Sequence, residues 1–185
     1  MNIFYLTYII WGLSEVIMNR LVRSGKDDKK GADNNTELYI WICIIICVTL
    51  GVLVSLKYPV PIFINVKLML IGIIIIIIGI ILRFLAVRQL GRFFTVNVTI
   101  RKDHKLIQNG FYKYIRHPSY TGSLLSFLGF GISLNNWLSL GLVFIPTLFF
   151  FILRMNVEEK VLAEQFGKQY SDYLKRTKRL IPLLY

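Results

Sequence analysis

Two short runs hold the residue types best able to do chemistry. The first is "RHPSYTG", where Arg116, His117 and Tyr120 bring a cation, an imidazole and a phenol around Pro118, just as a basic segment turns apolar. Pro118 suits the first position of a helix, because its missing N–H would be unpaired there anyway. His117 then falls beside a helix N-terminus, whose free N–H groups and dipole favour an anion. Ser119 and Gly122 permit close approach. The second run is "RMNVEEK", in which Arg154 and Glu158 are four apart and project from one helical face. A third stretch, "DHKLIQNGFY", sets His104 and Tyr112 on either side of an apolar pair and the Asn109–Gly110 turn. Each has a plain structural use when read alone: a proline-started helix with a basic anchor, an arginine that snorkels to a membrane edge, a loop. The residues leave both uses open. Walker A, GxGxxG and HExxH patterns do not occur. With two His and two Cys in all, no metal site is expected, and Cys43 and Cys47 read as small packing residues on one helical face.

The elements that must position these residues are apolar. Of 185 residues 55% are hydrophobic, and they fall in blocks at roughly 3–21, 38–56, 66–87, 118–134 and 137–153, candidates to cross a hydrocarbon core, the last two short for it at about 25 Å each. The fold class expected is all-α, a polytopic integral membrane protein with about five transmembrane helices, a C-terminal helical hairpin and a cytoplasmic amphipathic C-terminal helix. The first block contains Glu15 and lacks a basic n-region, so it reads as a retained span. If the spans alternate, 20 of the 22 Lys and Arg lie on one side. That bias places the N-terminus outside and the C-terminus in the cytoplasm. It also gives the net charge of +12 a use against anionic membrane lipids, with no nucleic acid and no obligatory protein partner implied. Residues 1–67 are expected to form an N-terminal part with two helices and a cytoplasmic loop, and 68–185 the functional part.

Between the blocks, 24–37 reads as a flexible polar connection, and 57–67 as a short outer connection held extended by Pro59 and Pro61. "GIIIIIIG" (72–79) reads as a lipid-facing helix whose two glycines, seven apart, leave a shallow groove for a neighbour. The interior segment 88–118 is too apolar for a linker and too charged to span, and a long loop of that kind is usually functional. Its piece 93–100 has strand-like composition, with no partner strand evident. The hairpin turns at Asn135–Asn136, and Leu162, Phe166, Tyr170 and Tyr173 recur at helical spacing in the tail. Glu15 is either interfacial or the partner of a buried cation.

The order "LGRFFT … HKLIQNGFYKYIRHPSYTG … RMNVEEKVLAEQFGKQYSDYLKRTKRLIP" resembles the isoprenylcysteine carboxyl methyltransferase family of membrane methyltransferases, over about residues 88–182. The resemblance implies S-adenosyl-L-methionine as cofactor, held at the cytoplasmic face. By motif, its pocket takes in His104, Lys105, Leu106, Ile107, Tyr112, His117, Pro118, Ser119 and Tyr120. Asn97 stands where the family commonly has a glutamine contact. Glu158 is implied to touch the cofactor and Arg154 the acceptor.

The residue types suit that chemistry. A carboxylate acceptor is ionised at pH 7 and needs no general base, but it does need a cation to orient it, and Arg serves. The acceptor expected is lipophilic or prenylated, most simply an isoprenylcysteine-type carboxylate. A phospholipid amine, a lipophilic hydroxyl, a nicotinamide-dependent membrane reductase on a related scaffold, and a non-catalytic scaffold or small transporter are the alternatives.

Overall fold

The computed structural model describes residues 3–21, 29–30, 36–64, 67–93, 99–100 and 105–185. Five long helices run along the chain: α1 (Ile3–Leu21), α2 (Thr36–Lys57), α3 (Lys67–Leu90), α4 (Pro118–Ser133) and α5 (Trp137–Phe166), followed by a short α6 (Lys168–Arg176). By length and apolarity, Leu38–Lys57, Leu68–Leu90 and Trp137–Phe166 each suffice to cross a membrane, while Leu6–Ile17 is a shorter apolar stretch. Ile74, Ile77 and Ile78 are exposed whereas Ile73 and Ile76 are buried, so the isoleucine run offers one face to lipid and one to the bundle.

α4 is the central helix. It is short and rich in Gly and Ser, and those small residues let α3 come unusually close. A Cβ added at Gly72 would lie 2.5 Å from Gly129 O, and one at Gly79 would lie 2.6 Å from Gly122 O. Two glycines seven apart on α3 therefore meet two glycines seven apart on α4, backbone against backbone. α2 packs on α5, where the Ser139 hydroxyl donates to Gly51 O at 2.7 Å. α1 closes the core with Trp11, edge-on to Phe127 at 5.0 Å, and with a 2.8 Å hydrogen bond between the Tyr8 and Ser133 hydroxyls.

The hairpin turns where the two asparagines stand. Asn135 takes a left-handed φ of 48°, a conformation that asparagine tolerates. Its amide clasps Phe63, donating to O at 2.8 Å and accepting from N at 3.1 Å. Asn136 caps α5 by accepting from Ser139 N at 3.1 Å and donates to Tyr58 O at 2.6 Å. The connection after α2 is thus pinned to the hairpin tip.

Two features differ from expectation. Thr99–Ile100 does find a partner strand: β1 (Lys29–Lys30) pairs antiparallel with β2 (Thr99–Ile100). The partner lies in a segment whose composition shows only polar turn residues. The last helix does not stop near residue 153 but continues to Phe166, 30 residues or about 45 Å. It exceeds the hydrocarbon thickness by several turns. It ends at Gly167, whose φ of 50° favours glycine, and α6 folds back with Tyr170 and Tyr173 buried against the protein.

Candidate functional site

The polar residues gather at one end of the bundle, where α3 ends, α4 begins and α5 runs past the apolar core. Pro118 is the first residue of α4 and His117 its N-cap, as the proline rule predicts. The chain before it is fixed by its own tail. Ile115 and Lys178 form a parallel bridge, with Arg116 N donating to Lys178 O at 2.8 Å and His117 N to Arg179 O at 3.0 Å. The Thr121 hydroxyl donates to Leu180 O at 2.8 Å. The helix start is therefore held by a segment some sixty residues later in sequence.

Arg154 is 3% exposed, and its guanidinium donates to the Tyr120 hydroxyl. Tyr120 stands on α4 with its ring 5.6 Å from the His117 ring and 5.1 Å from Phe151. One turn beyond Arg154, Glu158 carries a buried Oε2 that has no hydrogen-bond partner among the described residues and lies 3.6 Å from His117 Nδ1. The other face of the imidazole belongs to Glu159, whose Oε1 is 3.2 Å from Nε2. An ionised carboxylate only accepts, so the Nε2 proton faces Glu159 and Nδ1 is left toward Glu158.

Glu159 is a hub that the sequence pattern did not single out. Its Oε1 also accepts from Arg116 Nε at 2.9 Å, and its Oε2 accepts from both Nη2 and Nε of Arg179, at 2.5 and 3.1 Å. Arg116 Nη1 in turn donates to Thr177 O at 2.5 Å. One carboxylate thus ties α5 to the start of α4 and to the tail. Arg83 is the second omission. On sequence it looks like a basic residue near the end of a span, yet it is 9% exposed and pairs with Glu15 at 3.1 Å. The signal for it was Glu15, an acidic residue inside an apolar block.

Tyr112 is buried in a short 3-10 turn, Gly110–Lys113, and its hydroxyl donates to Ala86 O at 3.3 Å. Burial, helped by the Glu158 carboxylate, pushes its phenol well above the ordinary range, so it remains a neutral donor. Tyr173 donates to Tyr112 O at 2.7 Å. Burial pushes its phenol up to about 12, although Arg116 and Arg176 pull the other way. Burial also raises Tyr170, whose hydroxyl has no partner among the described residues.

The expected residues therefore divide. Tyr112, His117, Pro118, Ser119, Tyr120, Arg154 and Glu158 come together, and Ser119 is buried beside them. Lys105, Leu106 and Ile107 form an irregular segment tied to α6 through Gln108, whose Oε1 accepts from Arg176 at 2.8 Å. His104 and Asn97 lie outside the described residues. Among the described residues no group of three or more His, Cys, Asp or Glu could hold a metal ion.

Known proteins resemble this chain in sequence and in fold. The chain is 37% identical over 115 residues to protein-S-isoprenylcysteine O-methyltransferase B of Arabidopsis thaliana, covering 61% of this chain and 58% of that protein. It is 38% identical over 105 residues to protein-S-isoprenylcysteine O-methyltransferase of Schizosaccharomyces pombe, covering 56% of this chain and 44% of that protein. The chain thus spans about half the length of the curated relatives it matches. Its fold resembles the structure of the eukaryotic intramembrane Ras methyltransferase ICMT (isoprenylcysteine carboxyl methyltransferase), with TM-score 0.61 and 30% identity over 80% of this chain and 51% of that one. These relatives agree with the resemblance carried by the motifs. The phospholipid methyltransferase family profile matches residues 68–169, more than half of the chain, from the second residue of α3 through all of α4 and α5, and on that match the chain belongs to the phospholipid methyltransferase family.

Proposed function

We propose that the chain is an S-adenosylmethionine-dependent methyltransferase of the cytoplasmic membrane face, transferring methyl to the carboxylate of a lipophilic, isoprenylcysteine-type acceptor. The observation that carries this reading is Arg154, a permanently charged guanidinium that is 3% exposed and held by Tyr120 one turn from Glu158. A buried cation in an apolar bundle suits an anionic oxygen brought in on an apolar body. Arg orients that oxygen without yielding a proton, and the carboxylate, already ionised, needs none removed.

The residues present fit the cofactor. Glu158 Oε2 is a buried acceptor without a partner, and the Tyr170 hydroxyl is buried and unpartnered as well. They suit the ribose hydroxyls and ammonium group of an adenosyl amino acid. When bound, S-adenosylmethionine supplies a methyl group on a sulfonium, taken by the acceptor oxygen as the S–C bond breaks. The chain's share is alignment and the exclusion of water. His117 and Pro118 fix the start of α4, and so the place of Ser119 and Tyr120. Tyr112, locked between Ala86 and Tyr173, fixes the loop that faces Glu158. By motif, Lys105, Leu106, Ile107, His104 and Asn97 complete the proposed pocket.

The test is transfer of labelled methyl from S-adenosylmethionine to small prenylcysteines and to extracted lipids, with product identification. Methyl ester formation on a prenylcysteine is the expected result. Folded protein that binds no S-adenosyl compound overturns the reading. The family's own description favours a second reading, a phospholipid amine acceptor. An amine is protonated at pH 7 and must lose a proton before attack, so N-methylated lipid products would replace ester products.

A further inference from the structure

α1 lies outside the segment matched by the family profile, yet it sends a carboxylate into the bundle. Glu15 Oε2 is 3.1 Å from Arg83 Nη1, and both side chains are about nine-tenths buried. The Ser123 hydroxyl approaches Glu15 Oε1 at 3.5 Å from α4. Arg83 packs on the start of α4: a Cβ added at Gly122, two residues after Tyr120, would lie 2.8 Å from Arg83 Cβ. Glu15 and Arg83 therefore adjoin the first turns of α4, which carry the Tyr120 that Arg154 holds.

Two donors beside this pair are unspent. Arg83 Nε and Trp11 Nε1 are buried with no hydrogen-bond partner among the described residues. Trp11 is one turn of α1 before Glu15, on the same face. Both Trp11 and Glu15 line an apolar cavity of about 230 Å³ between α1, α2 and α4, otherwise walled by Trp41, Ile44, Ile45, Val48, Thr49, Gly12 and Phe127. Buried N–H groups left without acceptors are costly. A carboxylate head would bring acceptors to them, whereas an ammonium head brings only more donors and another positive charge.

We propose that Glu15 is a positioning residue of the acceptor site: by holding Arg83 through Nη1 it keeps the Nε–H of Arg83 free for an anionic oxygen, so that the site takes a lipophilic carboxylate and refuses a lipophilic amine. This rests on the methyltransferase reading and deepens it by naming what selects the acceptor. The apolar cavity beside Glu15 accommodates part of the hydrocarbon body, and the head turns inward past Glu15 toward Arg83, Tyr120 and Arg154.

The test is steady-state methyl transfer by the full chain in lipid nanodiscs, with a farnesylcysteine carboxylate and a lipophilic amine of equal chain length as acceptors. Cofactor-product affinity is measured in parallel by calorimetry with S-adenosylhomocysteine. Glu15→Gln keeps the shape and removes the charge. The expected result is an acceptor KM raised about tenfold or more, with affinity for S-adenosylhomocysteine changed less than about twofold. Preference for carboxylate over amine should narrow by a similar factor. Glu15→Asp, which keeps the charge on a shorter arm, should recover part of the loss, and it carries the test if Glu15→Gln does not fold. Unchanged KM and acceptor preference in a folded variant overturn the proposal alone. So does a parallel fall in cofactor affinity, which marks a merely structural role. A wild-type chain that binds S-adenosylhomocysteine but methylates the amine and not the carboxylate overturns the acceptor reading itself.

Discussion

His117 Nε2 stands 3.2 Å from Glu159 Oε1, at the end of the α4–α5 hairpin opposite its Asn135–Asn136 turn. The contact joins the N-cap of α4 to the last turns of α5. Arg116 and Arg179 reach the same carboxylate from either side, so the start of α4 and the C-terminal tail share one anionic anchor. Glu158, the neighbouring residue, faces the opposite nitrogen of the imidazole. Consecutive glutamates thus do different work: Glu159 is consumed by structural cations, and Glu158 keeps a buried oxygen free.

That division predicts opposite phenotypes. Glu159→Ala leaves Arg116 and Arg179 without their common partner, the first with a side chain only 11% exposed. Breaking such a pair from one side costs on the order of 3 kcal/mol. Thermal unfolding in detergent should shift downward, and limited proteolysis should cut the tail after Lys178 or Arg179 sooner than in the unaltered chain. Glu158→Ala should leave stability nearly unchanged and weaken S-adenosylhomocysteine binding about tenfold, the scale of one charge-assisted hydrogen bond. Calorimetry with the two effects interchanged would reverse the assignment.

Arg154→Ala separates acceptor from cofactor. Its guanidinium is buried, donates to Tyr120 and is assigned to the acceptor oxygen. Methyl transfer should fall by about a hundredfold or more, as when a charged orienting group is lost. S-adenosylhomocysteine affinity should stay within about threefold of the unaltered value. Arg154→Lys should not restore the rate, because a point charge lacks the planar fork that holds both Tyr120 and an anion. Full activity in the lysine variant would show that charge alone suffices.

Much of this was legible in the sequence, and the reason is periodicity. The apolar blocks set the helices, Asn135–Asn136 set the hairpin, Pro118 set the origin of α4, and four-residue spacing put Arg154 and Glu158 on one face. What was not legible depends on which distant segments meet. Glu159 reads like its neighbour until the tail folds back through the Ile115–Lys178 bridge and delivers Arg179. Arg83 reads as a flanking basic residue until α3 and α4 close on their glycines and bury it. Lys29–Lys30 has no strand character, and only its pairing with Thr99–Ile100 makes it one.

Glycine contact makes the last prediction, because it links packing to the site. Gly79 lies one turn before Arg83 on α3, and a Cβ there would sit 2.6 Å from Gly122 O, in the first turns of α4. Backbone cannot yield as a flexible side chain does, so the helices must separate. Gly79→Ala should cost about 1–3 kcal/mol of stability, the range for overpacking. The separation should also reach the chemistry. Arg83 and Tyr120 stand on the two helices being forced apart, so the acceptor KM should rise, while affinity for S-adenosylhomocysteine, proposed to rest on Glu158, should stay unchanged. Gly12→Ala serves as the control, since an added Cβ there meets nothing within 4 Å. Steady-state kinetics and thermal unfolding on both variants check the argument. Equal effects at the two positions would show that helix propensity, and not the α3–α4 contact, governs the response.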